Sequence, residues 1–264
     1  MTPGDLSPEL REFAETPSLF TVFGADEVVK RYLDDRVCII YGPTFGVVSA
    51  PRVGEGEVAQ LLDDVRELLG GDRHVAWYIG PSARPPGIVD ELRRLGVGEP
   101  LDGARLVHVL ATDSPPEAAP AEIETRETGT FEEYAAAAEL RFDAFDRPEE
   151  ERERDREHMR EFYESMLRMR GIGAVSFIAM LEGRLAGSAT AVLSPRGVFL
   201  IGGATASWAR GRGVYRALVR ARWDYAVERG TPALAVHADP RTSSPILGRL
   251  GFRHVCDAER LEGV

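Results

Sequence analysis

Three runs of β-favouring residues, Val175 to Leu181, Leu185 to Leu193 and Val198 to Ala206, are separated by the turns Glu182-Gly183 and Pro195-Arg196-Gly197. Turns this short leave no room for a crossover, so the runs are expected side by side as an antiparallel meander. The meander ends in Arg210-Gly211-Arg212-Gly213-Val214-Tyr215, after which apolar residues recur at helical spacing from Ala217 to Arg229. A Gly-rich turn that opens a helix presents backbone N–H groups with no intrahelical partner, and the helix dipole adds partial positive charge there. Anions bind at such places. Between Ala204 and Trp223 stand Arg210, Arg212, Arg216, Arg220 and Arg222 and no Asp or Glu, in a chain of formal net charge −11, so the positive charge is local.

A chain of 264 residues, 44% of them hydrophobic, can bury one large core or two small ones, and two domains are expected. The segment Ala111 to Ala121, with three prolines and no periodic apolar pattern, reads as a linker and divides the chain into residues 1–115 and 116–264. In the first part, Ser7 to Glu15 is a short helix with Ser7 as its N-cap and Pro8 at its first position. Asp26 to Leu33 reads as helical. Val37 to Tyr41 and Thr44 to Ser49 are β-type, Glu57 to Leu69 is helical, and Val75 to Ile79, Gly87 to Leu95 and Ala104 to Leu110 read as strand, helix, strand. In the second part, Ile123 to Arg126 is a strand and Thr130 to Phe142 a helix capped by Thr130. Pro148 to Arg170 is a long helix whose 14 Asp, Glu and Arg residues mark a solvated surface with i,i+4 pairs. After the meander and the helix from the Gly/Arg turn come the strand Ala233 to Ala238, a helix near Ser243 to Leu250, the Gly251-Phe252 corner and a short last strand. The expected class is α/β (α+β): a mixed, mostly antiparallel sheet flanked by helices, in two similar domains in tandem.

Composition excludes several function classes. No stretch approaches 18 uncharged apolar residues, so no membrane span is expected, and the N-terminus lacks the basic start and apolar run of a secretion signal. A cytoplasmic location follows as the expectation, with Cys38 and Cys256 as free thiols. No CxxC, HxxxH or HExxH spacing exists, so no metal is expected. A pI near 5.1 argues against nucleic acid as a partner.

The order strand, two helices, meander, Gly/Arg turn into helix, strand, helix and Gly-Phe resembles the GCN5-related N-acetyltransferase superfamily over about Ile123 to Val264. The family's pyrophosphate signature is Arg/Gln-x-x-Gly-x-Gly/Ala, which Arg210 to Gly213 match, whereas Tyr215 departs from it. Pro245 to Phe252 looks like the family's last helix ending in Leu-Gly-Phe. The resemblance implies acetyl-CoA, or another acyl-CoA, between the strands Val198 to Ala206 and Ala233 to Ala238. The pantetheine would lie on Gly203, Ala204 and Thr205, and the pyrophosphate on Arg210, Gly211, Arg212, Gly213, Val214, Tyr215 and Arg216. A dinucleotide fingerprint starting at Gly211 fits poorly, because its third glycine position holds Arg216.

The proton-transfer groups are less legible. The Tyr that serves as acid in many relatives is replaced by Leu247, and Val198 to Leu200 lack the Glu that some use as base. His237 and Asp239 remain, at the end of the strand beside the thioester, His237 with an ordinary imidazole pKa. Positioning of an already activated thioester is the alternative. The resemblance places the acceptor between the helices of Thr130 to Arg170, where Phe142, Asp143 and Phe145 would suit a cationic amine.

The first half parallels the second: Val47 to Gly56 leads into the helix Glu57 to Leu69, and Val75 to Val97 mirrors Ala233 to Phe252. Glu55 and Glu57 would stand where phosphates dock, so a degenerate copy is expected that walls the acceptor site. The expected function is acyl-CoA-dependent N-acyl transfer, most simply acetyl transfer to a small-molecule amine in a ternary complex, by a monomer or homodimer. A non-catalytic acyl-CoA-binding or regulatory protein and a protein or peptide N-acetyltransferase stand as alternatives.

Overall fold

The computed structural model describes residues 6–22, 28–71, 73–98 and 103–264. Helix α1 (Pro8–Glu15) starts where Ser7 Oγ accepts the Leu10 N–H at 3.3 Å. Strands β1 (Lys30–Leu33), β2 (Cys38–Tyr41) and β3 (Phe45–Ser49) form an antiparallel meander. Helix α2 (Val58–Leu69) then leads to β4 (His74–Ile79), parallel to β3, and α3 (Ile88–Arg94) leads to β5 (Arg105–Ala111). The second half opens with β6 (Ile123–Glu127), α4 (Phe131–Ala144) and α5 (Glu149–Arg168). There follow the meander β7 (Ala174–Leu181), β8 (Arg184–Ser194) and β9 (Gly197–Thr205), helix α6 (Val214–Glu228), β10 (Ala233–Ala238) parallel to β9, α7 (Ser243–Arg249) and β11 (Arg253–Glu262).

Both halves thus run meander, helix, parallel strand, helix, final strand, and their sheets join into one of order β1-β2-β3-β4-β11-β5-β10-β9-β8-β7-β6. The final strands are exchanged. β5, which ends the first half, pairs with β10 from Leu106↔Ala238 to Ala111↔Ala233. β11, which ends the chain, pairs with β5 through Ala258 and with β4 from Glu259 to Glu262. The cores follow the exchange: Leu110 is buried in the second half's core and Leu261 in the first half's. Trp77, fully buried, also donates its indole N–H to the Gly263 carbonyl at 3.0 Å.

Local sequence explains most elements. In α2 the residues Val58, Leu61, Leu62, Val65 and Leu69 form one buried stripe, each contributing roughly 1.5–3 kcal/mol by leaving water. Thr130 Oγ1 caps α4 by accepting the Glu133 N–H at 3.3 Å.

Three expectations need correction. The helix expected over Asp26 to Leu33 is, from Lys30 on, strand β1, because the open edge of β2 offers backbone partners from Tyr41 to Cys38; residues 26 and 27 lie outside the described ones. The last strand is not short but 10 residues long, since it serves two neighbouring strands in turn. Helix α6 begins at Val214, three residues earlier than its apolar pattern, because Gly213 supplies the N-cap.

Candidate acyl-CoA and acceptor site

Strands β9 and β10 pair only where Val198, Phe199 and Leu200 face Leu234, Ala235 and Val236. Beyond Leu200 they part. The cause is local: between Thr190↔Ile201 and Ser188↔Ala204, β9 carries one residue more than β8, a bulge at Gly202 and Gly203, with Gly202 at φ +60°. Gly203 is limited by space and Gly202 by its backbone conformation. A Cβ on Gly203 would stand 2.9 Å from Tyr215 Cε2 and 3.7 Å from Arg222 Nη2, and one on Gly202 3.4 Å from Arg141 Cδ.

After β9 the chain turns through Ser207–Ala209 into Arg210 to Gly213, with Gly211 at φ +76° and Gly213 at φ +86°, the left-handed region that favours glycine. Gly213 is the N-cap of α6 and no side chain caps the helix, so its first-turn N–H groups remain for an outside acceptor. The counterpart turn of the first half is closed by its own carboxylate: Glu57 Oε2 accepts the Gly54 N–H at 2.6 Å.

The positive charge of the turn is less isolated than its sequence window implies. Folding brings Glu182, from the β7–β8 turn, to 2.6 Å from Arg212, and Glu117, from the linker, to 2.7 Å from Arg216, while Asp224 pairs with Arg220 at 3.0 Å. The linker also covers the turn, since Pro120 Cγ lies 2.6 Å from the position of a Gly213 Cβ. Glu117→Ala should therefore tighten CoA binding. An exposed pair of this kind is worth about 0.2–1 kcal/mol, a roughly 1.5- to 5-fold lower Kd by calorimetry.

All ten residues assigned from sequence to the acyl-CoA, Gly203 to Thr205 and Arg210 to Arg216, line one cavity of about 1900 Å³. The same cavity is walled by Thr44, Phe45, His74 and Tyr78 of the first half and by Arg141, Phe142 and Arg147 of the α4–α5 region. Tyr215 sits over Gly203, so it covers the parted strands rather than pointing away from them. Of the acceptor residues, Phe142 is buried with Met159 and reaches the cavity, and Phe145 lines it while half exposed. Asp143 pairs with Arg152 at 2.7 Å, stays exposed, and is not among the lining residues.

His237 also lines the cavity, between the rings of Phe199 and Tyr78, whose centroids lie 5.1 and 5.5 Å away. Its Nε2 donates to the Ala14 carbonyl at 3.0 Å, which leaves Nδ1 as an acceptor. Burial pushes its pKa down to about 4, against the ordinary value expected from sequence. Below pH 6.5 the unfolded chain takes up a proton that the folded chain refuses, so this group lowers stability as pH falls from about 6.5 to about 4. His237→Gln should flatten that part of a urea-midpoint profile against pH; an unchanged slope would contradict the assignment.

Burial pushes the Asp239 carboxyl up, but the N–H groups of Arg241 and Thr242, both at 2.8 Å from Oδ1, outweigh it and hold the pKa low. Asp239 thereby fixes the turn into α7.

Two cavity arginines carry a signal in the sequence. Tyr134, Ala137, Ala138 and Arg141 fall on one helical stripe, as do Tyr215, Leu218, Val219 and Arg222. An arginine on an otherwise apolar stripe marks a cation turned inward. Arg222 is 1% exposed, donates from Nε to the Leu218 carbonyl and from Nη1 to the Thr190 carbonyl, and has no hydrogen bond from Nη2. Burial lowers its pKa to about 10.

A meander parted from a parallel strand by a bulge, with a Gly/Arg turn opening the next helix, is a fold shared with solved structures described as GCN5-related N-acetyltransferases. Residues 135–252 match the family model described as the acetyltransferase (GNAT) family. Among solved structures it is similar to a GCN5-related N-acetyltransferase from Kribbella flavida, at 14% identity and TM-score 0.66 over 96% of this chain and 95% of that one. It is also similar to a tandem GNAT protein from the clavulanic acid biosynthesis pathway, at 18% identity and TM-score 0.58 over 96% and 87% of the two chains. A third is a GCN5-related N-acetyltransferase from Sphaerobacter thermophilus, at 19% identity and TM-score 0.56 over 88% and 81%. No curated protein matches the chain. That match supports an N-acetyltransferase activity at the level of the superfamily for the matched residues, and no helix among the described residues is long and apolar enough to cross a membrane.

Proposed function

We propose that this protein transfers an acyl group, most simply acetyl, from acyl-CoA to the amine of a small molecule within a ternary complex. The observation that carries the reading is the parting of β9 from β10 at Gly202 and Gly203, directly before a Gly/Arg turn whose helix has no cap of its own. The unpaired backbone at Gly203 to Thr205 suits the amides of pantetheine, as an added strand would. The turn from Arg210 to Arg216 suits the pyrophosphate. Bound there, acyl-CoA supplies an acyl group already activated as a thioester, which passes to the amine nitrogen with release of the free thiol.

The chain's own groups have limited but definite tasks. His237, neutral at physiological pH, offers Nδ1 as a hydrogen-bond acceptor to the amine or to a water beside it. Tyr215 and the apolar wall of Phe199 keep water from the parted strands. The first half, which contributes Thr44, Phe45, His74 and Tyr78, closes the acceptor side, which favours a small molecule over an extended peptide. The two halves act together as a tandem pair of which only the second, residues 116–264, binds acyl-CoA, because Glu57 fills the corresponding turn of the first.

The weak basicity of His237 and the engagement of Asp239 in its turn favour one second reading, an acyl-CoA-binding protein without turnover. Thiol release from acetyl-CoA, followed over a broad amine panel, separates the two. Amine-dependent release supports the enzyme, whereas CoA binding with release at background for every amine leaves the binding protein.

A further inference from the structure

Arg141 enters the cavity from α4, its stem crossing the bulge of β9 with Cδ 3.4 Å from the position of a Gly202 Cβ. Its guanidinium makes one long hydrogen bond, from Nη1 to Ser188 Oγ at 3.4 Å. Ser188 Oγ itself donates to the Ala137 carbonyl at 3.1 Å and so brings no negative charge. Among the described residues no carboxylate is within ion-pair distance of Arg141. The nearest influence is Asp155, whose Oδ2 is held by Arg147 at 3.4 Å, and Arg147 also holds Glu151 at 2.5 Å. Tyr134, on the same stripe of α4, is half-buried and lines the cavity beside it.

Arg141 is partly withdrawn from water, and a guanidinium in that position without a counter-charge keeps donors free for an anion. Among the other cavity arginines, Arg212 and Arg216 each have a carboxylate, and Arg222 is held by the Leu218 and Thr190 carbonyls. Arg141 departs from this at the point where the acyl group and the amine would meet. Its planar fork matches a carboxylate through two parallel hydrogen bonds, and a single guanidinium balances a single negative charge.

Resting on the function proposed above, we infer that the reacting pocket takes a substrate bearing a carboxylate, which Arg141 receives in place of a protein counter-ion. The carboxylate can stand on the acceptor, as in an amino acid whose amine is acylated, or at the far end of the acyl chain, as in a dicarboxylic acyl-CoA. In both cases the transfer is the same: a C–N bond forms, the C–S bond breaks, the amine loses a proton and the thiol gains one.

The test uses the full-length protein and two matched comparisons. Amino acids are compared with their carboxamides, with acetyl-CoA as donor, and succinyl-CoA is compared with butyryl-CoA, with simple amines as acceptors. Each comparison is read as turnover and as calorimetric binding, to the CoA complex for N-acetylated acids and amides and directly for the two donors. A preference of roughly 30-fold or more for the carboxylate member is expected in one arm, from a charge-assisted bidentate pair in a desolvated pocket. Arg141→Gln should erase that preference and Arg141→Lys should keep part of it, with the Kd for CoA unchanged in both. Loss of fold would lower both members of a pair together, and the ratio in Arg141→Lys still reports on the charge. No preference in either arm, or a preference that survives Arg141→Gln, overturns the inference. Turnover without charge preference sinks this inference and leaves the proposed function; a binding preference without any turnover does the reverse.

Discussion

Replacing Gly213 with Asp should lower the affinity for CoA about 100-fold or more, measured by calorimetry on the folded variant. A side chain in the left-handed region costs roughly 1–2 kcal/mol, and a carboxylate facing a bound anion costs several more. The strain weakens folding, and the repulsion, which acts only with CoA bound, by itself reaches the roughly 2.7 kcal/mol that a 100-fold change in affinity requires. The steric contribution is specific to this position, because Gly213 stands at φ +86° under Pro120. Gly56→Asp provides the control. Gly56 has φ +89°, nothing within 4 Å of its Cβ position, and stands at the corresponding turn of the first half. The control should lose comparable stability from backbone strain and keep its CoA affinity. Equal affinity in Gly213→Asp and the parent would remove the turn from the acyl-CoA site.

The second half expressed alone, as residues 116–264, should fail to fold into a CoA-binding unit. Without β5, the edge of β10 from Ala233 to Ala238 loses its partner, and β11 loses both of its own. Leu110 leaves the core of the second half, which alone costs about 2–5 kcal/mol by analogy with large-to-small core substitutions. That is comparable to a large share of a domain's stability, and bare strand edges of this length pair with other chains. Size-exclusion chromatography, urea unfolding and CoA calorimetry check the outcome. A monomeric fragment that unfolds cooperatively and binds CoA would show that the exchanged strands are dispensable.

The meander was legible because its two turns are too short for anything else, and the turn from Arg210 to Tyr215 because glycines at Gly211 and Gly213 precede an apolar stripe. The stripe of α2 and the caps of α1 and α4 were legible for the same local reason. Strand β1 was misread because Lys30 to Leu33 has no decisive period of its own; it is a strand only because β2 has an edge to fill. The carboxylates that meet Arg212 and Arg216 come from residues Glu182 and Glu117, 30 and 99 positions away, so no window around the turn could contain them.

By itself the sequence determined most of the helices and strands, strand β1 excepted, and that a Gly/Arg turn opens helix α6. These are consequences of short-range spacing, where period, turn length and the conformational freedom of glycine act within a few residues. Only the tertiary structure decided that the halves exchange their last strands, that His237 is held at the Ala14 carbonyl and kept neutral, and that Arg141 reaches the parted strands with no carboxylate in ion-pair distance among the described residues. Strand partners, desolvation and the presence or absence of a counter-charge depend on residues far apart in the chain, and they exist only once packing has brought those residues together.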